Sequence, residues 1–210
     1  NACGNATRCV GALMMNKSGL DEIKIQTGAG ILRVIDRGNK RVTVDMGLVR
    51  VNWKDIPLSK KCDTRCLPIK ILDLENPLAV SIGNPHMVFF VSDIDLIPLQ
   101  EIGGQLECHP LFPERTNVQI VQVIGEDKLR LRTWERGTGL TMASGSGACA
   151  SLVAAYRKGL TGRVADVSMD GGDLHIEFKE NNYVFQTGPI ATSFSGILDP
   201  SFFDEMDVDT

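Results

Sequence analysis

The chain has 210 residues, 43% of them hydrophobic and 23% charged, with a net charge of −4. These values describe a globular chain able to build a sizeable core and exclude a disordered composition. The negative balance gives no electrostatic support to nucleic-acid binding, and no apolar run nears the roughly 20 residues of a membrane span.

The first recognisable element starts at once. Ala2-Cys3-Gly4-Asn5-Ala6-Thr7-Arg8-Cys9 is a small residue, a nucleophile, a glycine and a polar turn. Helix formers follow through Val10-Gly11-Ala12-Leu13-Met14-Met15, and Ser18-Gly19 is a usual helix stop. Ile23–Gly28 alternates like a strand, Gly30–Ile35 completes a hairpin pattern, and a third strand ends at Met46-Gly47. Asp55–Lys61 reads as a linker. Beyond it lie strand patterns at Leu78–Gly83, Met87–Val91, Val118–Val123 and Leu129–Trp134. A short helix is predicted from Asp95 to Leu106, carrying Leu99 and Ile102 inward.

The first pattern then recurs. Ala143-Ser144-Gly145-Ser146-Gly147-Ala148-Cys149 leads into the helix-forming Ala150–Arg157 and stops at Lys158-Gly159. Val167–Gly172 and Asp173–Phe178 repeat the hairpin, and a third strand ends at Thr187-Gly188. Helix, hairpin and strand recur in the same order at an offset of about 140 residues, which marks an internal repeat. The β-rich stretch before Ser144 has no equivalent before Cys3. The repeat therefore predicts a first copy lacking its N-terminal half, a segment of roughly 70 to 90 residues.

There are six cysteines. A domain of this size does not need disulfides, so they are read as thiols. Cys62, Cys66, Cys108 and His109 do not follow a standard zinc spacing, and no metal site is assigned. Cys9 and Cys149, inside their helices, are read as packing thiols.

The two loops carry the chemistry. Each places a small nucleophilic side chain, Cys3 or Ser144, just before a glycine-rich helix start. A helix N-terminus offers unpaired N–H groups and about half a positive charge, enough to hold a carboxylate. The same field lowers the pKa of a cysteine placed there. One Cys-Gly-Asn before a helix is a weak signal, but two related by a repeat are a stronger one. Facing each other, they would grip one carboxylate and set a side chain on each face of the adjoining carbon. Such a pair can take a proton from one face and return one to the other.

At this point the chain resembles the diaminopimelate epimerases. Ala2–Cys9 is similar to that family's first signature, and Trp134-Glu135-Arg136-Gly137-Thr138-Gly139-Leu140-Thr141-Met142-Ala143-Ser144-Gly145-Ser146-Gly147-Ala148-Cys149-Ala150 to its second. Gly83-Asn84-Pro85-His86, Arg115-Thr116-Asn117-Val118 and Thr187-Gly188-Pro189 resemble further family blocks. The resemblance covers nearly all of residues 1–200. It implies an α+β fold of two pseudo-symmetric β-rich lobes, each around a central helix, with the first lobe incomplete here. Residues 1–50 would be the remaining half of the N-terminal lobe, 51–190 the C-terminal lobe, and 191–210 a tail returning to the first lobe.

The resemblance also implies roles. Cys3 and Ser144 stand at the two catalytic-base positions, supported by His86 and Glu135. Gly4, Asn5, Gly145 and Ser146 would bind the reacting end of the substrate, and Asn84, Asn117, Glu135 and Arg136 would contact the rest of it. Independently of the resemblance, Arg136 is a natural carboxylate fork and the asparagines can read an amino-acid head group. The implied reaction is cofactor-independent 1,1-proton transfer, LL-2,6-diaminopimelate to the meso form, for lysine and peptidoglycan precursors. It implies a bacterial cytoplasmic enzyme, able to form a homodimer, with a small-molecule substrate and no membrane or nucleic-acid partner. A proline racemase-like isomerase and a non-catalytic ligand-binding homologue are the alternatives.

Two departures from the family pattern bear on activity. Ser144 stands where the family has its second catalytic cysteine, and a hydroxyl is far less acidic than a thiol of reference pKa roughly 8.5. Nothing in the local sequence, neither His nor Lys, is placed to activate it. Together with the incomplete first lobe, this predicts weak activity or none.

Overall fold

The computed structural model describes residues 3–28, 30–197, 199 and 201. Three helices and thirteen strands are described: α1 (Gly4–Ser18), α2 (Leu99–Glu107), α3 (Gly145–Lys158), and the strands β1 (Glu22–Thr27), β2 (Gly30–Asp36), β3 (Arg41–Leu48), β4 (Lys70–Ile71), β5 (Leu74–Glu75), β6 (Leu78–Ser81), β7 (Pro85–Val91), β8 (Asn117–Gly125), β9 (Lys128–Glu135), β10 (Gly139–Thr141), β11 (Val164–Met169), β12 (Gly172–Phe178) and β13 (Tyr183–Pro189).

Eleven of the strands form one sheet in the order β1-β2-β3-β13-β12-β11-β9-β8-β7-β6, with β10 hairpinned onto β9. The pairings β7·β8 and β9·β11 are parallel; the rest are antiparallel. The repeat is visible in the topology. α1-β1-β2-β3 and α3-β11-β12-β13 are the same unit, and the two meet where β3 pairs with β13. The backbone at both helices' ends is alike. Cys3 and Ser144 sit in extended backbone (φ −103° and −139°), and Gly19 and Gly159 close the far ends in left-handed conformation (φ 70° and 75°).

The two units differ in what covers the helix. α3 packs against strands β6–β9 and β11–β13, so every residue from Gly147 to Ala155 is buried. α1 packs chiefly on β1, β2 and β3. Its outer face, Val10, Leu13 and Met14, is exposed at 48, 58 and 52%. Counted from the caps, Leu13 and Met14 match the fully buried Ala154 and Ala155 of α3. Cys9 corrects the sequence reading for the same reason: it is exposed, and only Cys149 is a buried packing thiol. Cys9 lies six residues past its cap and Cys149 five, so the two do not share a helical face.

β6, most of β7 and the first five residues of β8 are buried on both faces, which explains their near-continuous apolar runs. Val80, Val88 and Val121 face the α3 core, while Ala79, Met87, Phe89, Val118 and Ile120 pack in a second core with α2. That second core also takes Ile56 and Leu58, so the segment read as a linker is folded against the domain. The helix predicted near residue 100 is α2, and Leu99 and Ile102 are buried as expected. Gly103 lets the Trp134 ring lie against α2; a Cβ there would fall 2.4 Å from the ring.

Ala191, Thr192, Phe194 and Ser195 border, with Leu13 and Asn16 of α1, a groove of about 860 Å³. The remainder of the expected tail, 198, 200 and 202–210, lies outside the described residues, as do Asn1 and Ala2 of the first motif. Among the described residues, no helix is long and apolar enough to cross a membrane.

Candidate active site

The N-termini of α1 and α3 converge, and the residue between them is Gln186 of β13. A Cβ added at Gly4 would fall 1.6 Å from Gln186 Nε2, and one at Gly145 would fall 2.4 Å from Gln186 Oε1. Both helix starts can approach this closely only because both positions are glycine. The pairing of β3 with β13 brings Gln186 opposite Val44, and Gln186 Nε2 donates to Met46 Sδ at 3.2 Å. Nothing in the motifs singles Gln186 out; its place follows from sheet order alone.

On the α1 side, Cys3 is the N-cap. Its side chain makes no capping hydrogen bond, and the residue is exposed. Its carbonyl accepts from Thr7 N–H at 2.9 Å and from Thr7 Oγ1 at 2.8 Å, which anchors the first turn. Beneath that turn, Asn5 Oδ1, Arg8 Nε and Nη1, and Gln186 Oε1 are buried polar atoms with no hydrogen-bond partner. Desolvation holds the Arg8 guanidinium below its ordinary pKa.

On the α3 side, the Ser144 hydroxyl accepts from Gly147 N–H at 3.2 Å and donates to Glu135 Oε2 at 3.0 Å. The other carboxylate oxygen of Glu135 accepts from Thr141 Oγ1 at 2.7 Å. Glu135 ends β9 and Thr141 ends β10, so the β9–β10 hairpin delivers the carboxylate to the helix start. Ser144 is buried, and its N–H points to Met169 Sδ at 3.4 Å. Sequence reasoning found Glu135 and Ser144 separately; their contact, and Thr141, it did not find.

Asn84 reaches the same helix start. Its Nδ2 lies 3.4 Å from Ser146 Oγ, and its Oδ1 lies 3.0 Å from His86 Nε2. His86 stands behind Asn84, fully buried, and its Nδ1 lies 3.1 Å from Gln119 Oε1. Gln119 Nε2 in turn donates to Thr133 Oγ1 at 3.2 Å. Burial, with the Arg136 charge as a lesser contribution, pushes His86 down to about 4 against the opposing effect of its hydrogen bond to Gln119 Oε1. His86 is therefore neutral at pH 7 and donates from one ring nitrogen only, to Gln119 Oε1 or to Asn84 Oδ1 according to its tautomer.

Asn117 is a bracket. Its Oδ1 accepts from Arg136 N–H at 3.0 Å and its Nδ2 donates to the Pro85 carbonyl at 2.9 Å, tying the turn after β9 to the start of β7. The Arg136 guanidinium donates to the Glu114 carbonyl at 2.9 Å. Glu107, at the end of α2, accepts from Trp134 Nε1 at 2.7 Å and from Gly137 N–H at 2.9 Å. Burial alone would raise its pKa, but these donors and Arg115 outweigh it and hold the carboxyl below its ordinary value. Glu107 thus pins the turn that carries Glu135 and Arg136, another role the sequence did not announce. Cys149 is buried behind the site, and desolvation raises its thiol to about 12, which makes it inert. Among the described residues, no group of three or more His, Cys, Asp or Glu side chains is arranged to hold a metal ion.

The assembled site offers two convergent helix N-termini, an exposed thiol at one and a hydroxyl–carboxylate pair at the other. This is the arrangement needed to hold an anion while a proton is moved at the neighbouring carbon.

The family described as diaminopimelate epimerase matches residues 78–192. A diaminopimelate epimerase of Rhodospirillum centenum is 49% identical over 197 residues, 94% of this chain and 68% of that protein. One of Phenylobacterium zucineum is 50% identical over 201 residues, 94% of this chain and 73% of that protein. Among solved structures, a probable proline racemase from Agrobacterium radiobacter K84 superposes with a TM-score of 0.64 at 16% identity, over 98% of this chain and 70% of that one. The fold is thus the α+β fold of the racemases and epimerases, and the chain belongs to the diaminopimelate epimerase family.

Proposed function

We propose that the chain epimerises LL-2,6-diaminopimelate to the meso form, without a cofactor, by moving a proton at one α-carbon. The observation that carries this reading is the convergence of the two helix starts on either side of Gln186. N–H groups at Gly4, Asn5, Gly145 and Ser146 hold the reacting carboxylate and stabilise the charge that develops when the α-proton leaves. Cys3 serves one face of the carbon and Ser144 the other. Asn84, Asn117 and Arg136 bind the remainder of the substrate, with Arg136 as the fork for its distal carboxylate. In the tautomer protonated at Nε2, His86 holds Asn84, and Glu135 keeps Ser144 in place. The family membership supports the substrate; the same reading puts the enzyme in the bacterial cytoplasm, as a homodimer, supplying lysine and peptidoglycan precursors.

The test is incubation of the full chain with LL-diaminopimelate in D2O, following deuterium at Cα and formation of the meso isomer. Proline and hydroxyproline serve as comparators. Deuterium entry and stereochemical conversion of diaminopimelate alone are the expected result. Turnover of proline, with none of diaminopimelate, would replace this reading with the proline racemase one.

A further inference from the structure

A serine in place of a thiol leaves one face of the site without an obvious base, yet the geometry supplies one. We infer that on the Ser144 face the proton acceptor is the Glu135 carboxylate, reached through the Ser144 hydroxyl. The inference rests on the epimerase reading above and assigns Glu135 the proton itself.

Three contacts define the relay. Ser144 Oγ donates to Glu135 Oε2 at 3.0 Å, so the hydroxyl hydrogen already lies on the path to a carboxylate. Gly147 N–H donates to Ser144 Oγ at 3.2 Å, which holds the oxygen at the helix start and occupies one of its two lone pairs. Thr141 Oγ1 donates to Glu135 Oε1 at 2.7 Å, which fixes the carboxylate and leaves Oε2 for the serine. Ser144 is nearly fully buried, so water does not compete freely for the hydroxyl.

The step balances within the chain and the substrate. The α-proton passes to Ser144 Oγ as the Ser144 hydrogen passes to Glu135 Oε2. The electron pair of the broken C–H bond remains on the substrate, spread into the carboxylate held by the helix N-termini. Inversion is completed when the Cys3 thiol gives its hydrogen to the opposite face of the carbon; in the reverse direction Cys3 takes the α-proton, a protonated Glu135 passes its proton to Ser144 Oγ, and the Ser144 hydrogen goes to the carbon. Moving both protons together avoids a free alkoxide, which a serine without a base could reach only at high cost.

The experiment reads deuterium exchange at each α-centre of LL- and meso-diaminopimelate as a function of pH. It uses the full chain, Ser144→Cys, Ser144→Ala and Glu135→Gln, with folding checked by circular dichroism. The relay predicts that exchange at the centre served by the Ser144 face rises with pH, because the acceptor acts as its anion, and does so at lower pH than with a thiol at position 144. Ser144→Cys moves that limb up toward the thiol range. Glu135→Gln and Ser144→Ala each lower this exchange by at least about 10²-fold, and spare the Cys3-dependent exchange more. A proton inventory in mixed H2O and D2O should be curved, as two protons move together; a merely structural Glu135 would shift neither the limb nor the inventory. Exchange unchanged in Glu135→Gln, or a pH limb identical in Ser144 and Ser144→Cys, overturns the relay. Exchange only in Ser144→Cys overturns it too, while leaving the epimerase reading intact. No exchange of diaminopimelate by any of the four, with each folded, overturns the epimerase reading itself.

Discussion

Gly4 has no room for a side chain against Gln186: a Cβ there would fall 1.6 Å from Nε2, inside any real contact distance. The clash is with a fully buried amide, which has little freedom to move. Gly4→Ala is therefore expected to destabilise the chain by about 1–3 kcal/mol, the usual cost of overpacking. Gln186→Ala, which opens the space, should recover most of that loss in the double variant. Urea unfolding of the four members of the cycle measures it. Additive losses would show that the contact is not the cause.

His86 gives a pH dependence with a definite sign. Its folded pKa is depressed to about 4 from an ordinary value of 6.5. The unfolded chain therefore takes up a proton below pH 6.5 that the folded chain refuses until about pH 4. Stability from this group is full above 6.5 and is lost as pH falls through that window. The loss amounts to about 3 kcal/mol at its end. His86→Gln removes the titration. The difference in unfolding free energy between parent and variant should shrink as pH drops from 7 to 4.5, and a constant difference would contradict it.

Glu107 is nearly buried, with its side chain 8% exposed, and satisfies Trp134 Nε1 and the Gly137 N–H at once. Glu107→Ala leaves both donors unpaired, at about 1–3 kcal/mol each. Glu107→Gln keeps one acceptor oxygen and should cost less. The turn carrying Glu135 and Arg136 loosens in the alanine variant, so substrate affinity should fall with stability. Thermal unfolding and Trp fluorescence report the first, and titration with diaminopimelate the second. Equal losses in the two variants would show that the hydrogen bonds do not matter.

The matched faces of α1 and α3 predict opposite responses at equivalent positions. Leu13 is 58% exposed, so Leu13→Ser should change stability by no more than about 0.5 kcal/mol. Ala154 is fully buried under the sheet, so Ala154→Leu should cost about 1–3 kcal/mol by overpacking. Chemical denaturation of the two variants checks the contrast. A large loss at Leu13 would mean that the outer face of α1 is covered in solution.

Much of this architecture is written in local sequence. The helix starts at Gly4 and Gly145, the left-handed stops at Gly19 and Gly159, and the alternation of the flanking hairpins depend on residues a few positions apart. Caps, turns and periodicity are short-range physics, so the internal repeat and the paired nucleophile positions could be read without a structure. The tertiary structure alone decided which distant groups meet. Gln186 lies between the two helix starts because β13 pairs with β3. Glu135 reaches Ser144 because the β9–β10 hairpin folds over the start of α3. His86 is neutral because β7 is covered on both faces, and Cys9 is exposed because its place on α1 is not. Burial and long-range register come from sheet order and from the element that happens to lie opposite. No window of neighbouring residues contains either.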